Sequence, residues 1–172
     1  MPDDVQHASS INALRSSFFA SAGSCAARYG LSFDDVLIHL WRSREHTGPV
    51  NLKLVLYLND LTHAAACAMQ IDRAWADLHD QYERWMTRRF RPQSGPIDAL
   101  LDVRRFLTRL RLGSDEMRFG FPLSLSVYRG YVPMKVWLAN ALVESAGNES
   151  HVSRALEITG RLARPGQVRP VR

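Results

Sequence analysis

Apolar residues recur at three- and four-residue intervals through most of the chain, the spacing of helices that bury one side. Ile11, Leu14, Phe18 and Ala22 predict a first helix over 10–29, closed by Gly30. Ser32 caps a second, with Asp34 and Asp35 in its first turn and Val36, Leu37, Leu40 and Trp41 as its stripe. Thr47-Gly48-Pro49 ends that segment. A third helix is predicted over 51–70, carrying Leu52, Val55 and Leu56 and then Ala64–Ala66, small enough for close packing. Trp75, Leu78, Tyr82, Trp85 and Met86 predict a fourth from Asp72 to about Phe90. Gln93-Ser94-Gly95-Pro96 breaks the pattern. A fifth follows over 96–112, with Pro96 at its first position and Ile97, Leu100, Val103, Phe106, Leu107 and Leu110 turned inward.

Residues 113–133 change character. Phe121, Leu123, Leu125 and Val127 alternate with Pro122, Ser124 and Ser126, a period of two that reads as a short strand or an extended loop. A helix is predicted over 132–145 and a short one over 150–162, before a basic tail punctuated by Pro165, Gly166 and Pro170. The fold class is therefore all-α: a compact bundle of about six helices. The expected organisation is a tail at 1–9, one helical domain over 10–162, and an unstructured basic tail over 163–172.

A chain of 172 residues with 46% hydrophobic and 23% charged residues can build its own core. That composition excludes a wholly disordered chain, collagen and a coiled-coil rod. Cys25 and Cys67 are too few for a disulfide scaffold or a zinc site made mainly of thiolates.

Charge changes the picture more. Residues 1–83 hold ten acids against six Lys and Arg, a balance of −4; residues 84–118 hold nine Arg against four acids, a balance of +5. The last 19 residues add five Arg against Glu157, and the whole chain carries +5. An acidic front and a basic back point to an acidic partner, nucleic acid first. The candidate contacts are Arg84, Arg88, Arg89, Arg91, Arg104, Arg105, Arg109 and Arg111, interleaved with Tyr82, Trp85, Phe90 and Phe106. Arg anchors phosphates and an exposed ring can stack on an unpaired base. The plainer alternative for the charge is a generally Arg-rich composition, since 20 of the 22 basic residues are Arg, and for the segment a solvated Arg surface over aromatics that helical spacing puts in the core.

Catalytic signatures are sparse. The chain has no GxxxxGK[ST], GxGxxG or GxSxG motif. His63 and Cys67 stand four apart on one helix, but a structural metal site needs two more ligands. Asp98 and Asp102 suit helix-dipole and ion-pair roles, Asp102 with Arg105. No enzyme, cofactor or metal is expected. No apolar run approaches the length of a membrane span, and the acidic, serine-interrupted N-terminus does not read as a signal peptide, so a cytoplasmic protein is expected.

Two stretches resemble the second conserved region of extracytoplasmic-function sigma factors. Leu31-Ser-Phe-Asp-Asp-Val-Leu-Ile-His-Leu-Trp-Arg42 is similar to that family's "DLVQEVFLRLWR" helix, and Tyr128-Arg-Gly-Tyr-Val-Pro-Met-Lys-Val-Trp-Leu138 to its "FRGEAPLRAWL" segment. No C-terminal helix-turn-helix like the family's second domain is recognisable. A parallel between Val50–Leu56 and Val132–Leu138 raises a tandem of two such units, 10–71 and 72–146. The resemblance implies a non-catalytic, transcription-related role. Asp34, Asp35 and His39 would share an exposed side that meets RNA polymerase or another protein. Tyr128, Arg129 and Tyr131 would approach a melted strand, in the segment to which Trp137 also belongs; the helical stripe of Met134, Trp137, Leu138 and Ala141 predicts instead that Trp137 is core. The alternative from another class is a helical adaptor or structural subunit of a larger assembly.

Overall fold

The computed structural model describes residues 2–113 and 124–146, with side chains over 9–90, 95, 97–113 and 124–145. The expected short helix at 150–162 and the basic tail at 163–172 lie outside the described residues. Within them the protein is all-α and compactly arranged, with no strand. Seven helices exceed one turn: α1 (Pro2–Ser21), α2 (Gly23–Tyr29), α3 (Phe33–Arg42), α5 (Leu58–Ala68), α6 (Asp72–Ser94), α7 (Pro96–Leu112) and α8 (Met134–Ala146). A single turn, α4 (Arg44–Thr47), extends α3.

The N-terminal helix starts at Pro2, so residues 2–9 are not a tail, and it breaks at Ala22 instead of running to Tyr29. Ser16 and Ser21 donate back to the carbonyls of Asn12 and Ser17 just before the break, a contact that bends helices, and Gly23 follows. Gly30, at φ 70°, ends α2 while Leu31 N–H reaches back to the Ala26 carbonyl at 2.9 Å. Ser32 and Asp35 form a reciprocal capping box at the start of α3, as the sequence predicts for Ser32.

The expected helix over 51–70 is shorter than its pattern. Residues Leu52–Leu54 form a 3-10 turn capped by the Asn51 side chain, and α5 begins only at Leu58. The reason is tertiary: the N–H groups of Leu56 and Tyr57 both donate to the Gly130 carbonyl at 3.0 Å instead of to a carbonyl of their own helix. Leu56 consequently faces solvent.

From there α5 becomes the centre of the molecule. Leu61 to Cys67 are buried without interruption, and α1, α2, α3, α6 and the Leu125–Val127 turn all pack on it. Ala64, Ala65 and Ala66 let neighbouring backbones come close on every side. Helices α6 and α7 make the most extensive helix pair, turning at Gly95 (φ 82°) with Pro96 opening α7. Trp75, Leu78, Tyr82 and Met86 of α6 face Ala99, Val103, Phe106, Leu107 and Leu110 of α7 as buried stripes. The period-two stretch resolves in part: Leu125–Val127 is a 3-10 turn capped by Ser124, and residues 114–123 lie outside the described set.

The parallel between Val50–Leu56 and Val132–Leu138 joins unlike conformations, a 3-10 turn and loop against the start of α8. What recurs locally is the turn itself. Asn51 accepts from Lys53 N–H and Ser124 from Ser126 N–H, and each turn leads through a loop into a helix, α5 or α8.

Gly130 sits at φ 69° with the space for a Cβ already taken: it would lie 3.2 Å from both the Leu61 Cβ and the Tyr57 carbonyl oxygen. Gly130→Ala is therefore expected to lower stability by about 2–3 kcal/mol, combining left-handed strain with overpacking. Gly113→Ala, with open space at φ 64°, should cost only about 1 kcal/mol. Urea unfolding of the two variants checks this, and equal midpoints would contradict the close approach.

Candidate nucleic-acid interface

The helical wheel of α6 separates its chemistry. Trp75, Leu78, Tyr82 and Met86 are buried, while Arg84 and Arg88 lie on the opposite side and Arg89 is exposed near the turn. None of the three carries an ion pair among the described residues. Arg91 lies on α6, and its side chain is outside the described residues. On α7 the arginines are more engaged. Arg104 Nε donates to Glu83 Oε1 of α6 at 3.0 Å, which ties the hairpin together. Arg105 stands 3.9 Å from Asp102. Arg111 pairs with Asp72, lies over the Trp75 ring at 6.0 Å, and its carbonyl accepts from Gln70 Nε2. Arg109 is exposed and has no ion pair among the described residues.

Because the helices are antiparallel, these residues do not gather at one end. Arg88 and Arg89 stand near the Gly95 turn and Arg111 beside the start of α6, about 25 Å apart along α7 at 1.5 Å per residue. The expected cluster is a spread of charge along the hairpin.

The residues assigned to strand contact occupy different places. Tyr128 is 1% exposed, its hydroxyl donating to the Val132 carbonyl at 2.6 Å and its ring edge-on to half-buried Trp137 at 5.7 Å. It offers no face to a base. Arg129 is spent on backbone: Nε donates to Ser43 Oγ at 3.0 Å, Nη2 to the Ser43 carbonyl at 3.1 Å and to that of Gly48, and Nη1 to that of Pro49 at 3.1 Å. The guanidinium thereby joins Thr47 on the Ser43 carbonyl and bonds the Gly48 and Pro49 carbonyls just past α4. Tyr131 is half-buried beneath it, and its hydroxyl accepts the Asn51 N–H at 2.7 Å.

On α3 the expected shared side divides. Asp34 is exposed, with Arg15 at 3.6 Å. The Asp35 carboxylate is occupied by the cap, whose hydrogen bonds from Ser32 hold its pKa below the ordinary range. His39 is buried and donates Nε2–H to the Tyr128 carbonyl at 2.9 Å, so it belongs to the core. Burial drives its pKa down, with Arg42 adding to the shift.

A second polar group joins α2, α5 and α6. Asp77 accepts from Arg28 at 2.5 Å and from the Tyr29 hydroxyl at 2.9 Å; Tyr29 stacks on His63 at 5.3 Å, and His63 Nε2 donates to the Ala74 carbonyl at 2.8 Å. Burial lowers the His63 pKa and pushes the Cys67 thiol up to about 12, so Cys67 is a packed thiol at neutral pH. Among the described residues no three His, Cys, Asp or Glu side chains stand together as metal ligands.

Nothing matches this chain among protein-family models, curated proteins or solved structures.

One surface escaped the sequence reading. Ile97, expected inward, is 73% exposed, and Leu101 and Leu112 are exposed on the same side of α7. The signal was present as a second apolar row, 97, 101 and 112, opposite the buried one.

Two outcomes follow. His39 and His63 are neutral in the fold and bind protons more readily once unfolded, so acid favours unfolding. Stability should be full above about pH 6.5 and decline as the pH falls below it, toward the depressed native pKa values; His39→Gln should flatten that decline in urea midpoints measured across the range. Arg129→Ala should cost about 1.5–3 kcal/mol by removing charge-assisted hydrogen bonds to Ser43, Gly48 and Pro49 while leaving any DNA affinity unchanged. A loss of DNA affinity without loss of stability would return Arg129 to the interface.

Proposed function

We propose that this chain is a non-catalytic, cytosolic nucleic-acid-associated protein with a transcription-related role, similar in its 31–42 and 128–138 segments to the second region of extracytoplasmic-function sigma factors. The carrying observation is that Arg84, Arg88 and Arg89 are exposed on α6 without acidic partners among the described residues. Unpaired guanidinium groups on one helix are available to phosphate oxygens at no cost in broken ion pairs. The two resembling segments fall on the capped helix α3 and on the approach to α8. Asp34 is the exposed acid that α3 offers to a polymerase or another protein. The alternative, a helical adaptor within a larger assembly, is favoured by one observation: an exposed apolar row of Ile97, Leu101 and Leu112 runs along the outward side of α7.

With three phosphate contacts, affinity for DNA should fall about fortyfold for a fourfold rise in salt. Arg84→Glu, Arg88→Glu and Arg89→Glu together should abolish binding with little change in melting temperature. Anisotropy titrations with duplex and single-stranded DNA test this, and absence of binding to both at low salt would overturn the reading.

A further inference from the structure

We infer that α7 is the seam of a homodimer, in which a second copy of this chain lays its own α7 antiparallel across the first. The seam is separate from the α6 arginines and does not rest on the nucleic-acid reading. Two patterns on the outward side of α7 carry it.

The first is apolar. Ile97 is 73% exposed, Leu101 44% and Leu112 78%, all on the side opposite Val103 and Leu107, and Thr108 completes the row. The spacing of 97, 101, 108 and 112 is four, seven and four, which reads the same from either end. An antiparallel copy therefore sets Ile97 against the partner's Leu112 and Leu101 against the partner's Thr108. Side chains this apolar are seldom left in a continuous exposed row.

The second is charge. Along one flank of that row stand Asp98, Asp102, Arg105 and Arg109, all exposed, spaced four, three and four. The acids occupy the N-terminal half and the arginines the C-terminal half. In an antiparallel pair, like flanks meet, so Asp98 opposes the partner's Arg109 and Asp102 the partner's Arg105; a parallel pair would set this flank against the one that carries Arg104 and Arg111 and so crowd arginines together. Among the described residues Asp98 and Arg109 have no ion pair, and the Asp102–Arg105 contact is long at 3.9 Å, so both couples are free to be exchanged. Arg104, on the other flank near the two-fold axis, would meet its own counterpart, but Glu83 already neutralises it at 3.0 Å.

This pattern selects the occupant. An acidic helix would satisfy Arg105 and Arg109 while facing Asp98 and Asp102 with like charge. Nucleic acid would be repelled by the same two acids and would gain nothing from Ile97, Leu101 and Leu112. A second copy satisfies both halves at once, as an isologous interface must. One helix pair buries on the order of 1,000 Å² or less, the range of weak, reversible association.

Sedimentation equilibrium of the full chain tests this. The average mass should rise with concentration from one chain toward two, and Leu101→Glu should weaken association roughly tenfold or more. Asp98→Arg with Asp102→Arg, and separately Arg105→Asp with Arg109→Asp, should each stay monomeric, and an equimolar mixture of the two variants should recover the dimer. Circular dichroism melts establish that each variant is folded. A parent chain that stays monomeric at high micromolar concentration overturns the proposal. So does a dimer that survives Leu101→Glu, or a mixture of folded charge variants that fails to associate.

Discussion

Four consecutive residues hold the two halves of this protein together. Tyr128 receives the His39 imidazole at its carbonyl, Arg129 spans Ser43, Gly48 and Pro49, Gly130 accepts from Leu56 and Tyr57, and Tyr131 accepts from Asn51. Just beyond, Asp60 takes the Met134 N–H at 2.7 Å and so caps α8 from the other half of the chain. Buried backbone groups must find partners, and here each finds one more than seventy residues away. The loop over 48–57 owes its shape to this segment, and the segment owes its burial to that loop. No buried side-chain nitrogen or oxygen among the described residues is left without a partner.

That constraint also decides where function does not lie. An arginine between two tyrosines looks in sequence like a stacking and phosphate-binding triplet. Here Arg129 ties Ser43 to the Gly48 and Pro49 carbonyls past α4, and its neighbours brace it. A guanidinium with four backbone and hydroxyl acceptors would have to abandon all of them to reach a phosphate. The arginines that stay free are those whose helix is held by something else. The α6–α7 hairpin is fixed by its buried stripe and by the Glu83–Arg104 bond, which leaves Arg84, Arg88 and Arg89 with no structural duty.

Local periodicity made most of the fold legible. The bounds of α7, the Ser32 cap, the Gly95 turn and the inward rows of α6 follow from spacing and from Pro and Gly alone. The failures share a cause. Residues 51–57 carry a helical pattern, yet their N–H groups are claimed by Gly130, a contact no window of local sequence contains. The resemblance puts His39 on the exposed side of α3 with Asp34 and Asp35, yet it is buried because the distant Tyr128 carbonyl accepts its N–H. Ile97 failed differently: α7 carries apolar residues on two sides, and with one helix face to fill, spacing alone could not say which row met the core. Packing against α6 chose Val103, Phe106, Leu107 and Leu110, leaving the other row outside.

That second row raises an electrostatic question, because each chain carries a net +5 and two copies repel. Apolar burial along one helix is too small to be indifferent to that repulsion. The flank of Asp98, Asp102, Arg105 and Arg109 meets the difficulty locally: it is neutral in sum, and its acids and bases are sorted by end so that reversal brings opposites together. The same sorting serves the isolated helix, since acids favour the N-terminus of α7 and arginines its C-terminus. An order that suits the dipole of one helix is thus also the order that suits antiparallel pairing. Dipole preference alone does not require the apolar row beside it to read alike from both ends, and that coincidence turns a well-capped surface helix into a self-complementary one.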